Sequence, residues 1–296
     1  MWLRIVTLCA LSLAGWSPAA AQTTPPSEDV TVTATKSREA THNFTKAFAA
    51  PTQLSGKIAR WQRRLCPLTL GQEPKTAAFI TQHIKFVALA VHAPVNTDAS
   101  CTPNIEIVFT TTPQALLDNV RKTEGVLLGY ADTTSQLDKL AQVTHAVQAW
   151  YTTETQDCNG FRAIDAGAVS TAMGDRQFSP PTYASCDERI NDGLVTGFNH
   201  ILIVIDTTKL AGQEIVPLTD YIAMLALTQL SSLDTCQSLP SIVNMMAPDC
   251  EHSEQALTEF DLAYLQGLYQ MSAGRMVHMQ RNEIADTMKD RLEGEK

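Results

Sequence analysis

The sequence predicts an α+β fold from three observations. Residues 76–91 carry apolar side chains at intervals of three and four, the spacing of a helix with one buried face. Residues 200–206, His-Ile-Leu-Ile-Val-Ile-Asp, are a short β-branched run typical of a core strand. Residues 217–230 are almost wholly apolar over the length of a helix, which predicts a helix buried on every side. Helices and strands therefore share one core.

The N-terminal half of the folded region is predicted to alternate helix and strand. The helix over 76–91 stops before Pro94, and Asn104–Thr110 follows as a short strand rich in β-branched residues. Thr112 is a suitable N-cap and Pro113 suits the first helical position, so a second helix begins there. Also predicted are strands at 30–34 and 143–153 and an irregular segment over 47–70.

The C-terminal half is predicted to contain a long insertion and three helices. Residues 157–193 are rich in Gly, Pro, Ser and Asp and lack apolar periodicity, as expected of a surface insertion. The buried helix over 217–230 follows. Thr258 with Asp261 three residues later has the broad pattern of a capping box and starts the next helix. An extra amphipathic helix over 276–292 ends the fold.

The first 21 residues have the plan of a secretory signal peptide. A basic start with Arg4 precedes the apolar run 5–13, and three alanines at 19–21 provide a small-residue cleavage site. This run is about half of the ~20 residues that a membrane-spanning helix needs, and no later stretch reaches that length. We expect a soluble protein in the periplasm or outside the cell, with a linker or extended segment at 22–50 and one domain at 51–296.

The charge balance argues against a nucleic-acid partner. The chain has a formal net charge of −9, and loss of residues 1–21, with one arginine and no acidic residue, leaves −10. A nucleic-acid or anionic-membrane partner needs a basic surface. The expected partner is an envelope protein or peptide whose identity is unknown.

Cysteine usage fits export to an oxidising compartment. One of the seven cysteines, Cys9, lies in the signal peptide, which leaves an even number in the mature chain. Six cysteines allow 15 pairings. We favour the sequential one, with buried free thiols as the alternative: Cys66–Cys101, Cys158–Cys186 and Cys236–Cys250.

Two motifs near the C-terminus carry a resemblance to a known fold. Met245, in Ser-Ile-Val-Asn-Met-Met at 241–246, is similar to a Met-turn, and Leu-Thr-Glu-Phe-Asp-Leu-Ala-Tyr-Leu-Gln-Gly-Leu-Tyr at 257–269 is similar to the closing helix that follows one. The chain thereby resembles the metzincin and matrixin branch of the zincin peptidases over roughly residues 76–270. It also resembles an uncharacterised family of exported alphaproteobacterial proteins. The resemblance implies a zincin-like mixed sheet with packed helices.

The zinc ligands of that fold are absent from this sequence. A zincin places two histidines four residues apart on one helical face, with a glutamate between them as general base. The alignment puts Leu225 and Gln229 at the two histidines and Ala226 at the glutamate. Ser232 and Thr235 replace the later glycine and third histidine. We therefore expect no zinc and no other cofactor, and interpret Leu225 and Ala226 as core residues of a pseudoenzyme.

Three hypotheses of function follow. The first is a non-catalytic zincin-like protein that binds or scaffolds a partner in the bacterial envelope. The second is a zinc-independent hydrolase whose acid–base site is built from His145, His200, Asp220 and Gln229. The third is an interaction module that docks a partner through the insertion at 157–193 or the C-terminal helix. The chain lacks the short motifs of serine hydrolases with a nucleophile elbow, P-loop NTPases and Rossmann oxidoreductases.

Overall fold

The computed structural model describes residues 34–167, 192–210, 212–251 and 253–294. These residues form seven α-helices and a five-stranded mixed sheet, which confirms a mixed helix-and-sheet fold. The helices are α1 (Ala34–Phe48), α2 (Pro74–Ala90), α3 (Pro113–Thr123), α4 (Thr134–Leu140), α5 (Ile215–Leu227), α6 (Glu259–Gln270) and α7 (Val277–Gly294). The strands are β1 (Pro67–Leu70), β2 (Ile105–Thr110), β3 (Val147–Asp157), β4 (Arg162–Ile164) and β5 (Leu194–Asp206).

The sheet is built around β5, its longest strand. The strand order is β1-β2-β5-β3-β4. β1, β2 and β5 are parallel, whereas β3 pairs antiparallel with β5 and β4 pairs antiparallel with β3. Residues Ile201–Ile205 are buried on both faces, which explains their unbroken apolar run.

Two apolar clusters cover the two faces of the sheet. The larger contains the buried residues of α2 and α5 together with side chains from α1, α6 and α7. The smaller is built around Trp150, Leu202 and Val204 and is closed by Leu117 of α3 and Leu128. Every residue of α5 from Pro217 to Leu227 is buried, which confirms the prediction for this helix.

The N-terminal part differs from its predicted extended form. Residues 34–48 are helical, because Phe44 and Phe48 are buried against Tyr264 of α6 and α1 packs against α7. The prediction of an extended chain is therefore wrong for this part of 22–50. The predicted signal peptide and residues 30–33 of the predicted strand lie outside the described residues.

The segment between α1 and β1 connects distant parts of the fold. Lys57, which is 2% exposed, donates from Nζ to Asp192 Oδ1 at 2.6 Å, Leu194 O at 2.8 Å and Gly274 O at 2.6 Å. Each ammonium hydrogen thereby has an acceptor, as a buried charge requires. A stretch predicted to be irregular thus joins the start of β5 to the turn before α7.

Two of the three predicted disulfides are present. Cys66–Cys101 and Cys236–Cys250 have Cα–Cα distances of 6.2 and 5.4 Å. Cys158 is also disulfide-bonded, but its predicted partner Cys186 lies outside the described residues. Closing a loop as short as 236–250 stabilises the folded chain by ~3 kcal/mol through loss of unfolded-state entropy.

Among the helices of the described residues, none combines the length and apolar character needed to cross a bilayer. Of the predicted insertion at 157–193, residues 168–191 lie outside the described residues. The remainder contains β4, which extends the sheet beside β3.

We predict that Lys57→Met lowers the free energy of unfolding by about 3 kcal/mol, because the Asp192 carboxylate and two buried carbonyls lose their donor. Urea titration followed by circular dichroism measures the change. Lys139→Met, at an exposed site on α4, is the matched control and should shift stability by less than about 0.5 kcal/mol. Equal stability of the two variants would contradict the role given to Lys57.

Candidate binding cleft

The buried C-terminal end of α5 is capped by three aromatic side chains. The Tyr151 hydroxyl lies 2.9 Å from Leu225 O, Trp61 Nε1 donates to Ala226 O at 2.8 Å, and the Tyr269 hydroxyl donates to Leu227 O at 2.9 Å. The last carbonyls of a helix have no intrahelical partner, so a buried helix end needs such donors. Burial raises the pKa of the Tyr151 and Tyr269 hydroxyls, which keeps both protonated.

The helix therefore ends earlier than predicted. Its last residue is Leu227, not Leu230, and Thr228 is extended with φ −146° and ψ 148°. Beyond it, Gln229 O accepts from Ala50 N at 3.2 Å. Pairing with the chain after α1 draws these residues out of the helix, so Leu225 and Gln229 do not share one helical face.

The other positions of the aligned zinc site lie apart from each other. Leu225 and Ala226 are buried in the larger core, at 1% and 0% exposure. Ser232 is partly exposed and Thr235 is exposed, in the loop that precedes the Cys236–Cys250 bridge. Within the described part of the chain, no three His, Cys, Asp or Glu side chains converge as a metal site would require.

The predicted Met-turn is a short 3₁₀ helix, Ile242–Met245, joined to α6 by one buried carboxylate. Asp261 accepts from Ser241 Oγ at 2.5 Å and from Ile242 N at 2.9 Å. Its capping box with Thr258 is present, as the sequence predicts. Met245 itself is partly buried against the larger core. The turn and the helix after it thus form one hydrogen-bonded unit.

A cleft of about 140 Å³ lies along β3, next to the end of α5. Its lining combines neutral polar groups with aromatic and aliphatic ones, and none of its side chains is charged. The lining residues are Thr52, Gln53, Leu128, Gly129, Tyr130, Leu140, Ala149, Trp150, Tyr151, Thr153 and Gln229.

Within the described part of the chain, one edge of β3 is unpaired beside this cleft. Ala146 O accepts from Asp206 N at 2.8 Å, which sets the alternation of the β3–β5 ladder. By that alternation Val147, Ala149 and Tyr151 direct their backbone groups away from β5. β4 pairs with β3 only over Glu154–Gln156. In the described ranges nothing hydrogen-bonds the outward backbone groups of Val147, Ala149 or Tyr151.

Two further features shape the cleft wall. Gln229 Oε1 is buried and has no hydrogen-bond partner among the described residues, so it is a free acceptor beside the β3 edge. Gly129 has φ +101°, and a Cβ there would lie 2.9 Å from Tyr151 O. Only glycine fits this close approach without strain.

A buried carboxylate lies behind the cleft. Asp165 Oδ2 accepts from Thr153 Oγ1 at 2.7 Å, while Oδ1 has no partner among the described residues. Burial is the main cause that raises the pKa of Asp165, and the hydrogen bond from Thr153 opposes it.

The candidate acid–base residues do not converge. His145 lies in the loop before β3, and its Nε2 is 2.9 Å from Asp234 Oδ1. Asp220 Oδ1 lies 2.5 Å from His83 Nε2 of α2, and Asp220 Oδ2 accepts from Leu257 N at 3.0 Å. Of the four candidates, only Gln229 lines the cleft.

His200 lies within β5, not at a strand start as predicted. His145 lies next to the Asp206 end of β5, because Val147 pairs with Ile205. His200 is six residues from Asp206 along β5, so the two histidines are about 20 Å apart. His200 Nδ1 is buried without a partner among the described residues, and Nε2 is 3.9 Å from Glu106. Burial lowers the pKa of His200, with Glu106 opposing. No geometry of the described chain joins these residues into one acid–base site.

Sequence reasoning missed the aromatic caps and the free edge. Trp61 lies in a stretch without periodicity, and no local pattern relates it to Ala226, 165 residues later. Tyr151 was placed on a strand, but its hydroxyl partner depends on the tertiary fold. No local pattern shows which edge of β3 lacks a neighbour, because strand order is a property of the tertiary fold.

The fold and the cleft define a mixed helix-and-sheet protein with an uncharged groove along a strand that is partly unpaired among the described residues. Comparison of the chain with known proteins finds no matching protein family, no matching curated protein and no matching solved structure. The zincin-like relationship and the bacterial family stay predictions from sequence.

We predict that Tyr151→Phe lowers the free energy of unfolding by about 1–3 kcal/mol, because Leu225 O and Thr228 O lose a buried donor. Thermal and urea unfolding measure it. Tyr130→Phe is the control, since that hydroxyl bonds Asp132 at the surface and its loss costs less than about 0.5 kcal/mol. Equal stability of Tyr151→Phe and Tyr130→Phe would show that the Tyr151 hydroxyl does not stabilise the end of α5.

We predict that Asp165 makes folding less favourable as pH rises. Its folded-state pKa is raised, so its contribution to stability is greatest below the unfolded pKa of about 4 and is lost as pH rises through the folded pKa. Asp165→Asn should therefore gain stability relative to the wild type as pH increases above about 4. Urea unfolding across pH, with exposed Asp290→Asn as control, tests this. A difference that does not vary with pH would refute it.

Proposed function

We propose that the protein is an exported, non-catalytic binding protein of the bacterial envelope that holds an extended polypeptide segment along the outer edge of β3. The observation that carries the proposal is the coincidence of two features. Among the described residues the outward backbone groups of Val147, Ala149 and Tyr151 have no hydrogen-bond partner, and two of these three residues, Ala149 and Tyr151, line the cleft.

The dimensions of the cleft favour a strand over a small-molecule ligand. Ligand pockets for drug-sized molecules and cofactors enclose about 300–1,000 Å³. The cleft encloses about 140 Å³, which accommodates a stretch of backbone with one or two side chains. An added strand lies mostly beside the sheet edge, so only its inward side chains need this space.

The chemistry of the lining also suits a polypeptide backbone. An added strand meets the outward N–H and C=O pairs of Val147 and Ala149. At Tyr151 the outward C=O already faces Gly129, where a Cβ would lie 2.9 Å from the carbonyl oxygen. Gln229 Oε1 offers an additional acceptor, and the hydroxyls of Thr52 and Thr153 lie in the same lining. Neutral groups of this kind hydrogen-bond to the backbone amides of a bound peptide and do not require that the peptide carry a charged side chain.

Two disulfides support the export of the protein, because such bonds persist in oxidising compartments. The zincin-like part of the proposal rests on the resemblance of residues 217–270 and on the absence of the zinc ligands from that alignment. A peptidase cleft that lost its metal and kept a strand-binding edge would bind peptides without cleaving them.

We predict that peptides selected from a displayed random library of about ten residues bind this edge and slow amide exchange at Ala149 and Tyr151. Ala149→Pro removes an outward N–H and should weaken the selected peptides at least about tenfold, because an edge strand tolerates proline but loses that donor. Isothermal titration measures affinity, and hydrogen exchange locates the site.

Ala149→Ser keeps the N–H and is the matched control, expected to bind like the wild type. Circular dichroism checks that Ala149→Pro remains folded. Failure of every library to yield a binder, or binding unaffected by Ala149→Pro, would overturn the proposal.

A further inference from the structure

Helix α2 is apolar on two sides. Its inner side chains Ile80, Ile84 and Val87 are buried in the larger core. On its outer side Phe79, Phe86 and Leu89 are 40%, 68% and 58% exposed. Phe79 belongs to the apolar face identified from the sequence, yet it points outward. A helix that is apolar on two sides is typical of one covered on two sides.

The outer side has the spacing of a helix-pairing surface. Lys75, Phe79, Gln82, Phe86 and Leu89 follow one another at intervals of four, three, four and three residues. This is the heptad spacing with which one helix packs along another. The inner side, which already contacts the core, repeats the same intervals. The outer spacing therefore indicates a second helix as the partner.

We infer that the partner is α2 of a second copy of this chain, packed antiparallel about a twofold axis at Gln82. Lys75 and Leu89 lie seven residues on either side of Gln82, and Phe79 and Phe86 lie three residues before it and four after it. In this arrangement Lys75 of one copy meets Leu89 of the other, and Phe79 lies within one residue of the level of Phe86. Each contact occurs twice, as an isologous interface requires.

Charge selects the antiparallel arrangement. The charged residues of α2 are Lys75 and Lys85, and the helix contains no acidic residue. A parallel pair would place Lys75 beside its own copy, whereas the antiparallel pair separates the two Lys75 side chains by about 20 Å. At the axis, two Gln82 amides face each other and satisfy one another, which fixes the register.

The exposed apolar area fits a dimer of ordinary size. Ile215 and Val216, 38% and 49% exposed, lie about one turn before Asp220, which pairs with His83 on α2. The rings of Phe79 and Phe86 lie 5.8 and 6.2 Å from that of His83. Together the five exposed residues present roughly 500 Å² of apolar surface, close to the apolar share of a standard-size protein–protein interface of ~800 Å² per partner.

This inference is independent of the strand-binding cleft, because α2 contributes no residue to that cleft. Sedimentation equilibrium of the purified protein tests it. A dimer with a dissociation constant below about 10 μM is expected, and Phe86→Asp should raise that constant about a hundredfold or more. Leu68→Asp, at an exposed leucine of β1, is the control and should leave the dimer intact.

A second measurement locates the axis. Gln82→Cys should form an intermolecular disulfide under mild oxidation, whereas Lys85→Cys, three residues away on the same helix, should not. A wild-type protein that stays monomeric up to about 100 μM would overturn the inference. So would a dimer unchanged by Phe86→Asp, or cross-linking of Lys85→Cys in preference to Gln82→Cys.

Discussion

The fold depends on satisfying the carbonyl groups where α5 ends inside the protein. Three side chains from three elements supply the donors: Trp61 before β1, Tyr151 from β3 and Tyr269 from α6. A buried carbonyl without a donor costs about 1–3 kcal/mol, so three such groups together approach the total stability of an ordinary domain. The segment after α1, the sheet and α6 are therefore held in one arrangement around this helix end.

The same constraint determines what lies beside the cleft. The helix stops at Leu227, and the next residue is extended. Gln229, whose carbonyl accepts from Ala50 N, therefore lines the cleft. Gln229 Oε1 is thereby a buried acceptor without a partner among the described residues, and Gln229 is not part of a helical pair. The polar, uncharged wall that it helps to form lies next to β3.

Sequence predicted the features that local interactions determine. The capping box of Thr258 and Asp261 spans three residues, and the burial of α5 follows from its own composition. The end of α5 was placed three residues too late, because pairing of Gln229 with Ala50 involves residues far apart in the chain. Helix α1 was missed for a similar reason: its polar sequence forms a helix by packing Phe44 and Phe48 on Tyr264. The acid–base candidates His145, His200 and Asp220 lie apart because of the strand order and helix packing, which the identity of single residues does not reveal.

The packing of α1 against α7 has a consequence for the order of folding. A chain is synthesised from its amino end, so α1 is made before its partner near residue 280. Ala49 O accepts from Arg281, and Ile58 N donates to Gln280, contacts between residues more than 200 positions apart. Contacts of such high sequence separation form slowly and late. Helix α1 can therefore complete its packing only after the chain near residue 280 is available, and until then its apolar side chains Phe44 and Phe48 lack their buried environment.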